Sequence, residues 1–397
     1  MSVELAPTSA EDLAAALHDH ASQNQVIELG GNFTKRDMGG TIQPSAAVIS
    51  TRALNRVLAY EPADLTISVG AGLPYRELSD TLAEQGQFLP LDPPFHDTAT
   101  IGGVIAANTS GPRRRRYGTA RDMVIGMTFA TVAGKLVQSG GMVVKNVTGL
   151  DMAKIMIGSF GTLAAVASIN FKVFPRPTEE RTFLARSNAP EPLISLRSAI
   201  LKSQLQPVAM DLLNPQAAKL LGLDGTDYCL ALESNGNHAL VLRYERDWGE
   251  LAQRHGASAF DTLDQAAAGS LWTQIRDFPS LARPADSAAS VIRVSTEPKK
   301  LAELIAAVDT NGAAPILTRA AAGIAFVVCP DIDATRRCLS ECRAKRFPAV
   351  VAHCPEAQKD SLELWADAGE QLKVMRRIKA SLDPARMLNP GRLFNRI

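Results

Sequence analysis

The sequence predicts an α+β protein of two domains, and three observations carry that prediction. A glycine-rich first part of short β runs closes at Pro175, Arg176 and Pro177; an α/β second part alternates strands with helices; and a tail marked by Pro384, Asn389, Pro390 and Gly391 turns away from it. The expected divisions are residues 1–177, 178–380 and 381–397, the last returning to the first domain. With 397 residues, 46% of them hydrophobic and 21% charged, the chain can bury two cores and is neither disordered nor fibrous.

The first domain starts with a helix after Ser9, where SAED resembles a capping box. QVIELGG is a short apolar strand ending in glycines, AAVIS is a second, and residues 65–69 alternate as a third. Residues 74–85 read as a helix with proline in its first turn. A Pro-x-Pro cannot continue a central strand or helix, so the boundary falls at 175–177. Beyond it come TFLARS, a helix over 192–204, PVAMDLL, DYCLALES, a helix over 238–255 and a long helical segment containing Trp272. SVIRVS, a helix over 298–308, strands near 314–317 and 324–329, a helix over 334–346 and VVAHC follow. That order of strand, helix, strand, strand, helix, strand predicts a ferredoxin-like antiparallel cap. The tail reads as helical from Ser361, and no internal repeat is visible.

Composition excludes several classes. Forty-two Lys and Arg against 41 Asp and Glu leave a net charge of +1, so any anion site must be local and a nucleic-acid partner is not expected. The first twenty residues lack the basic and apolar regions of a secretory signal, which predicts a cytoplasmic protein. Residues 142–174, the most apolar stretch, are interrupted by Lys145, Asp151 and Lys154, short of the roughly 20 apolar residues a transmembrane helix needs. Membrane contact would be peripheral or through a partner. Five cysteines suit a reducing compartment. Cys338 and Cys342 lie one turn apart with Cys354 after a strand, yet no C-x-x-C accompanies them, so they read as small buried thiols with no metal and no iron–sulfur cluster.

The chemistry concentrates in residues 90–173. TATIGGVIAANTSGPRRRRYGTARD sets Gly102 and Gly103 after a polar turn, then small residues, then Gly111, Gly118 and Asp122. Small side chains leave consecutive N–H groups open to an anion, and a diphosphate suits such a concavity. TATIGGVIAANTSGPRRRRYGTARDMVIGM and SGGMVVKNVTGLDMAKIMIGSFGTLAAVASINFKVFPRP closely resemble the FAD-binding domain of the vanillyl-alcohol-oxidase (PCMH-type) family, which has two α/β subdomains. Within that family they look most like the FAD-binding E subunits of glycolate oxidases.

The resemblance implies a first pyrophosphate loop at Gly30, Gly31, Asn32, Phe33 and Thr34, departing from the family's G-G-G-[ST] spelling at Asn32 and Phe33. It implies a second FAD loop at Thr98, Thr100, Ile101, Gly102 and Gly103, followed by Asn108, Ser110 and Gly118. Gly158, Ser159, Gly161 and Thr162 would touch the ring or adenine side, while Asp122 reads as a turn cap. Covalent members of the family tether flavin through a His in the first loop or a Cys in the second. Neither is present, and His96 precedes the glycine pair as a loop residue, so FAD is expected to be non-covalent.

Arg113 to Arg116 form the one dense basic run: a solvated loop, compensation for the FAD diphosphate, or a dock for an acidic partner. Lys145 and Asn146 are polar in an apolar setting and face the flavin or support its loop, unless the lysine snorkels. The closing LNPGRLF also resembles the family, which makes Asn389 and Arg392 candidates near the pyrimidine edge, where positive charge stabilises the reduced ring. Asn389-Pro390-Gly391 as a turn alone is the plainer reading.

Family members that oxidise D-2-hydroxy acids carry a cap motif with a metal-binding His pair and an adjacent base, and a base must reach the substrate proton. SNGNHA, with His238, lacks the second His and the acid, and reads as a loop in which Asn237 caps the next helix. No catalytic residue and no metal ligand emerges; a self-sufficient enzyme would need a base from the Glu233 or His353 regions. The resemblance instead implies partners: a larger FAD-binding D subunit holding the substrate site for glycolate or D-lactate, and an iron–sulfur F subunit passing electrons toward the membrane. This chain's FAD would then relay electrons or be structural. The alternatives are a self-sufficient FAD-dependent alcohol or 2-hydroxy-acid oxidoreductase and a cofactor-free scaffold.

Overall fold

Arg176, set between two prolines, is the last residue before the chain passes from the first to the second of two units in the computed structural model, which describes residues 2–142, 151–223, 225–281, 288–309, 312–394 and 397. The first unit comprises 1–110, 118–176 and 367–397; the second comprises 111–117 and 177–366. Lys145 and Asn146 lie outside the described residues.

In the first unit, β1 (Val3–Leu5), β2 (Ile27–Gly30) and β3 (Ala47–Ser50) form a parallel sheet in the order β1-β3-β2. The helix Ala10–Ser22 starts as expected, the Ser9 hydroxyl accepting from Asp12 N at 3.0 Å. Its 3.6-residue periodicity buries Leu13, Leu17 and Ala21 against Ile27, Leu29 and Ile49. Each fully buried leucine contributes about 1.5–3 kcal/mol. A second sheet runs β4-β5-β9-β7-β8, with β4 (Val57–Glu61), β5 (Thr66–Gly70), β7 (Val124–Ala130), β8 (Leu136–Gly140) and β9 (Ala165–Lys172) all antiparallel to their neighbours. The short strands β6 (Gln87–Phe88) and β10 (Phe174–Pro175) pair beside it.

The tail joins this unit earlier than expected. Residue 381 falls inside the helix Gln371–Leu382, and the division lies at Asp367. The reason is a buried lysine: Lys379 Nζ donates to Thr162 O at 2.7 Å, Asp383 Oδ2 at 2.7 Å and Leu388 O at 3.0 Å. Three acceptors satisfy all three ammonium hydrogens, so the helix cannot leave without exposing a charge-assisted network.

The second unit is one antiparallel sheet of eight strands, ordered β14-β11-β13-β12-β16-β17-β15-β18. They are β11 (Glu179–Ser187), β12 (Ala209–Leu213), β13 (Tyr228–Gly236), β14 (Ala259–Leu263), β15 (Ser290–Ser295), β16 (Ile316–Arg319), β17 (Ile324–Cys329) and β18 (Ala349–His353). The ferredoxin-like layout expected near the end therefore occurs twice: each half runs strand, helix, strand, strand, helix, strand with spatial order 4-1-3-2, and β12 pairs β16 to join them. The sequence showed no repeat because the two halves share topology without shared spelling. It also missed β14, an edge strand with little apolar alternation. Helices Pro190–Lys202, His238–Arg254, Leu301–Val308 and Ile332–Ala344 pack on one face, over Phe183, Leu232, Ile292, Val294 and Val327.

A buried ion pair marks the seam between the halves. Arg319 Nη1 lies 2.8 Å from Asp211 Oδ1 across paired strands, and its Nη2 donates to Ile275 O at 3.1 Å. Asp211 is 0% exposed, its Oδ2 has no partner among the described residues, and burial pushes its carboxyl up despite the arginine. Arg319→Met should destabilise the second unit by about 3–5 kcal/mol in urea unfolding of the whole chain, because it strands a buried carboxyl. The Asp211→Leu, Arg319→Met double variant should recover most of that loss.

Candidate functional site

The functional cleft of the first unit grows from the glycines that end β2. At Gly31 an added Cβ would stand 2.0 Å from Thr100 Oγ1, so only glycine lets this loop touch the Thr100 turn. Asn32 Nδ2 donates to Thr98 O at 2.8 Å. The two stretches expected to form separate FAD loops are thus held against each other. Thr100 caps the helix Ile101–Ala106, accepting from Gly103 N at 3.3 Å. Gly102 is glycine for packing, since a Cβ there would lie 2.8 Å from Ala71 Cβ. Gly103 is different. Its missing Cβ would meet only Thr100 Oγ1, at 3.2 Å, and the residue borders open space.

That space is a cleft of about 820 Å³, its open mouth included. Gly30, Gly31, Asn32, Phe33 and Thr34 line it from one side, and Thr100, Gly102 and Gly103 from another. Gly161, Asn389 and Arg392 close it. The backbone N–H groups of residues 31–34 donate to no protein acceptor among the described residues. Phe33, Phe160 and Asn389, all at the cleft, hold φ of 53°, 53° and 42°, left-handed conformations that cluster where a ligand is clamped. Open consecutive amides, a wall without a side chain at Gly103 and nearby guanidinium groups fit a dinucleotide diphosphate.

The tail contributes two of those walls by different means. Asn389 is 2% exposed: its Oδ1 accepts from Leu29 N at 2.8 Å, and its Nδ2 donates to Leu29 O at 3.0 Å and Phe160 O at 2.8 Å. Both amide hydrogens are engaged with backbone carbonyls, so Asn389 staples β2 to the Phe160–Gly161 turn while it lines the cleft. Arg392 Nη1 donates to Arg36 O at 2.7 Å and Nη2 to Lys35 O, gripping the loop from behind while its positive charge stays at the cleft.

Lys35 and Arg36 line the cleft too, and sequence reasoning missed both although they directly follow the glycine loop. Lys35 Nζ donates to Thr109 Oγ1 at 2.5 Å. Arg36 makes paired bonds of 2.6 and 2.8 Å to Glu28, whose hydrogen bond raises the guanidinium pKa despite partial burial. Phe160, Thr51 and Ala164 were missed as well, being ordinary core types in sequence.

The remaining expected contacts do not line the cleft. Thr98 acts through its carbonyl, and Ile101 is wholly buried with its N bonded to Leu73 O at 2.9 Å. Gly158 N donates to Ile105 O at 3.2 Å, and its α-carbon packs toward Asn108, so both brace the short helix from beneath. Ser110 ends the segment of the first unit and is not a wall of the cleft. Thr162, 0% exposed, donates to Ser159 O at 2.7 Å. Gly118, with φ of 94°, leaves room for Asp122, whose carboxylate accepts from Thr119 N at 2.8 Å and Oγ1 at 3.0 Å. The bond from Thr119 N, above all, holds that carboxyl below its usual range, which makes Asp122 the turn cap expected of it. His96 sits in a loop, its Nδ1 3.1 Å from Asp97 Oδ1.

The arginine run belongs elsewhere. Residues 111–117 cluster with the second unit, where Arg113 grips Glu233 through bonds of 3.0 and 2.6 Å and reaches Glu180 at 3.4 Å. Asn235 Nδ2 donates to Tyr117 OH at 2.9 Å. Arg113 is therefore a brace within the cap, and Glu233, 3% exposed, is its paired counter-ion. Asn237 caps its helix as expected, accepting from Leu240 N at 2.9 Å. Cys338, Cys342 and Cys354 are buried free thiols, as are Cys229 and Cys329.

With this geometry in hand, similarity to known proteins is informative. Residues 1–140 match the FAD binding domain family, and residues 359–393 match the C-terminal domain of FAD linked oxidases. Glycolate oxidase subunit GlcE of Escherichia coli (strain K12) is 33% identical over 188 residues, 47% of this chain and 52% of that protein, so the chain covers about half of that relative's length. D-2-hydroxyglutarate dehydrogenase of Xanthomonas citri pv. viticola is 27% identical over 98% of this chain and 88% of that protein. In three dimensions, 4-ethylphenol oxidase from Gulosibacter chungangensis superposes with a TM-score of 0.74 at 14% identity, over 98% of this chain and 88% of that one, which shows a shared fold. The first unit binds FAD.

Gly103→Val should abolish co-purifying FAD while leaving the circular dichroism of the chain largely intact, because the new side chain enters the cleft. Asn389→Ala leaves Leu29 and Phe160 backbone groups unpaired, and thermal unfolding should show a loss of about 1–3 kcal/mol.

Proposed function

We propose that the chain, whose residues 1–140 match the FAD binding domain family, is an FAD-carrying subunit of a complex that oxidises a short 2-hydroxy acid, glycolate or D-lactate. The observation that carries this reading is the pairing of an intact cofactor cleft with a cap whose carboxylate candidate is engaged. Glu233 is chelated by Arg113, so a base free to take the hydroxyl proton is not found at that position. A substrate site on a larger FAD-binding D subunit, with an iron–sulfur F subunit carrying electrons onward, accounts for that combination. Similarity to GlcE supports it.

Bound FAD would supply a carrier able to take two electrons and release them in turn. The chain's own residues do the rest. The amides of residues 31–34 and the bare backbone at Gly103 would hold the diphosphate. Arg392 and Lys35 keep positive charge at the cleft, which stabilises added negative charge there. All five cysteines fall in the second unit, which leaves the first without a thiol to tether the cofactor and supports non-covalent binding.

One observation favours a second reading, a self-sufficient FAD-dependent 2-hydroxy-acid oxidoreductase: the similarity to D-2-hydroxyglutarate dehydrogenase runs through both units. A base from the His353 region, at the end of β18, would then be required. The FAD-binding domain argues against a cofactor-free scaffold. No helix among the described residues is long and apolar enough to cross a membrane.

Glycolate-dependent bleaching of the flavin separates the two readings. The subunit reading predicts bleaching only when the larger flavoprotein subunit is co-expressed. Bleaching of the isolated chain would overturn it and place a substrate site on this protein.

A further inference from the structure

The helix-covered side of the second unit carries a groove of about 910 Å³, its open mouth included, between the first helix of each half, Pro190–Lys202 and Leu301–Val308. Side-chain size accounts for it: Ser195, Ser198, Ala302 and Ala306 line the groove, and such short side chains leave two neighbouring helices incompletely packed. Ile194 and Ile305 add apolar wall, and Glu191, Tyr228 and Asp309 bring polar groups to it. The groove shares no residue with the FAD cleft.

Those polar groups are of one kind, since among the described residues no Lys or Arg lines the groove. Tyr228 spends its hydroxyl hydrogen on Asp309 Oδ2 at 3.3 Å, and Ser198 spends its own on Ile194 O at 2.8 Å, so both oxygens can only accept from a ligand. Asp309 Oδ1 has no hydrogen-bond partner, and neither Asp309 nor Glu191 has an ion-pair partner, among the described residues. Asp309 directly follows the C-terminus of Leu301–Val308, where the helix dipole adds negative potential. Glu191 stands in the first turn of its helix, whose N-terminus balances part of its charge, so Asp309 is the stronger anchor. Burial, and then the charges of Asp309 and Glu191, push the Tyr228 hydroxyl pKa up.

A groove rich in acceptors and poor in donors calls for a cation. No group of three Asp, Glu, His or Cys side chains suited to a metal ion occurs among the described residues. An alkylammonium meets both halves of the lining: its head carries three donors for carboxylate and hydroxyl oxygens, and its methylenes leave water against Ile194 and Ile305.

We propose that this groove binds a short primary alkylammonium ion, its head at Asp309 and Glu191 and its chain along Ile194 and Ile305. Binding here is independent of whether the chain oxidises anything itself, and it is read without turnover.

The test uses the full chain purified with its FAD, titrated calorimetrically with butylammonium chloride, with butanol and sodium chloride at matched ionic strength as controls. The amine should bind saturably at one site, and the controls should not. Asp309→Asn keeps the shape and removes the charge, and it should weaken the amine at least about tenfold, as loss of a charge-assisted bond requires. Glu191→Gln should weaken it less. Ala306→Leu, at an exposed helix position, fills the groove without touching a charge and should abolish binding with flavin content unchanged. If the added leucine lowers the melting temperature, Asp309→Asn carries the test. No saturable binding of the amine, equal binding of butanol, or wild-type affinity in Asp309→Asn or in a folded Ala306→Leu would each overturn the assignment.

Discussion

Two buried polar side chains in the tail hold the cofactor unit together. Lys379 gathers Thr162 O, Asp383 and Leu388 O into one network, and Asp383 in turn accepts from Met387 N at 3.0 Å and Leu388 N at 2.8 Å. This fixes the path of the chain so that Leu388 bridges Ile27 beside β2 and Asn389 reaches Leu29 and Phe160. From there Arg392 grips the carbonyls of Lys35 and Arg36. The loop at 31–34 is thus shaped from both ends: by the Thr100 turn it touches and by a tail more than 350 residues away in sequence. Desolvation lowers the Lys379 pKa, and the carboxylate beside it works against that shift, so the network needs both members.

The second unit is organised by a different constraint. Two ferredoxin-like halves share one sheet only because β12 and β16, an outer strand of each half, pair with each other. Joining two edges removes two sets of unpaired backbone groups, and the Asp211–Arg319 pair fixes the register at the join. The buried charges of the other face follow from the same geometry, since strand alternation places Glu233, Asp211 and Arg319 away from the first core, on the face where Leu271, Ile275 and Phe278 pack.

Local patterns were legible in the sequence where a single physical cause produces them. The Ser9 and Asn237 caps, the boundary at Pro175-Arg176-Pro177 and the strands from SVIRVS to VVAHC follow from capping, proline chemistry and apolar alternation. The glycine loops were legible as a group but not individually. Gly31 and Gly102 are small because Thr100 and Ala71 press on them, and Gly103 borders the cleft, a distinction only tertiary contacts make. Asn389 was found for its position, but its bonds to Leu29 and Phe160 depend on tertiary contacts that the sequence does not display. The Arg113 to Arg116 run has the composition of a phosphate site but the contacts of a cap element, because its partners Glu233 and Glu180 lie far along the chain. Lys379 and the cap repeat left no local signature at all.

An FAD held by shape and backbone amides, without a covalent bond, leaves the chain when the fold of the first unit is lost. The most direct measurement is the flavin released when the purified wild-type chain is precipitated with acid, identified by chromatography and compared with the flavin left in the pellet. About one FAD per chain is expected, all of it in the supernatant. Flavin retained in the pellet would show a covalent tether, and a colourless chain that takes up no added FAD would contradict the cleft as a cofactor site.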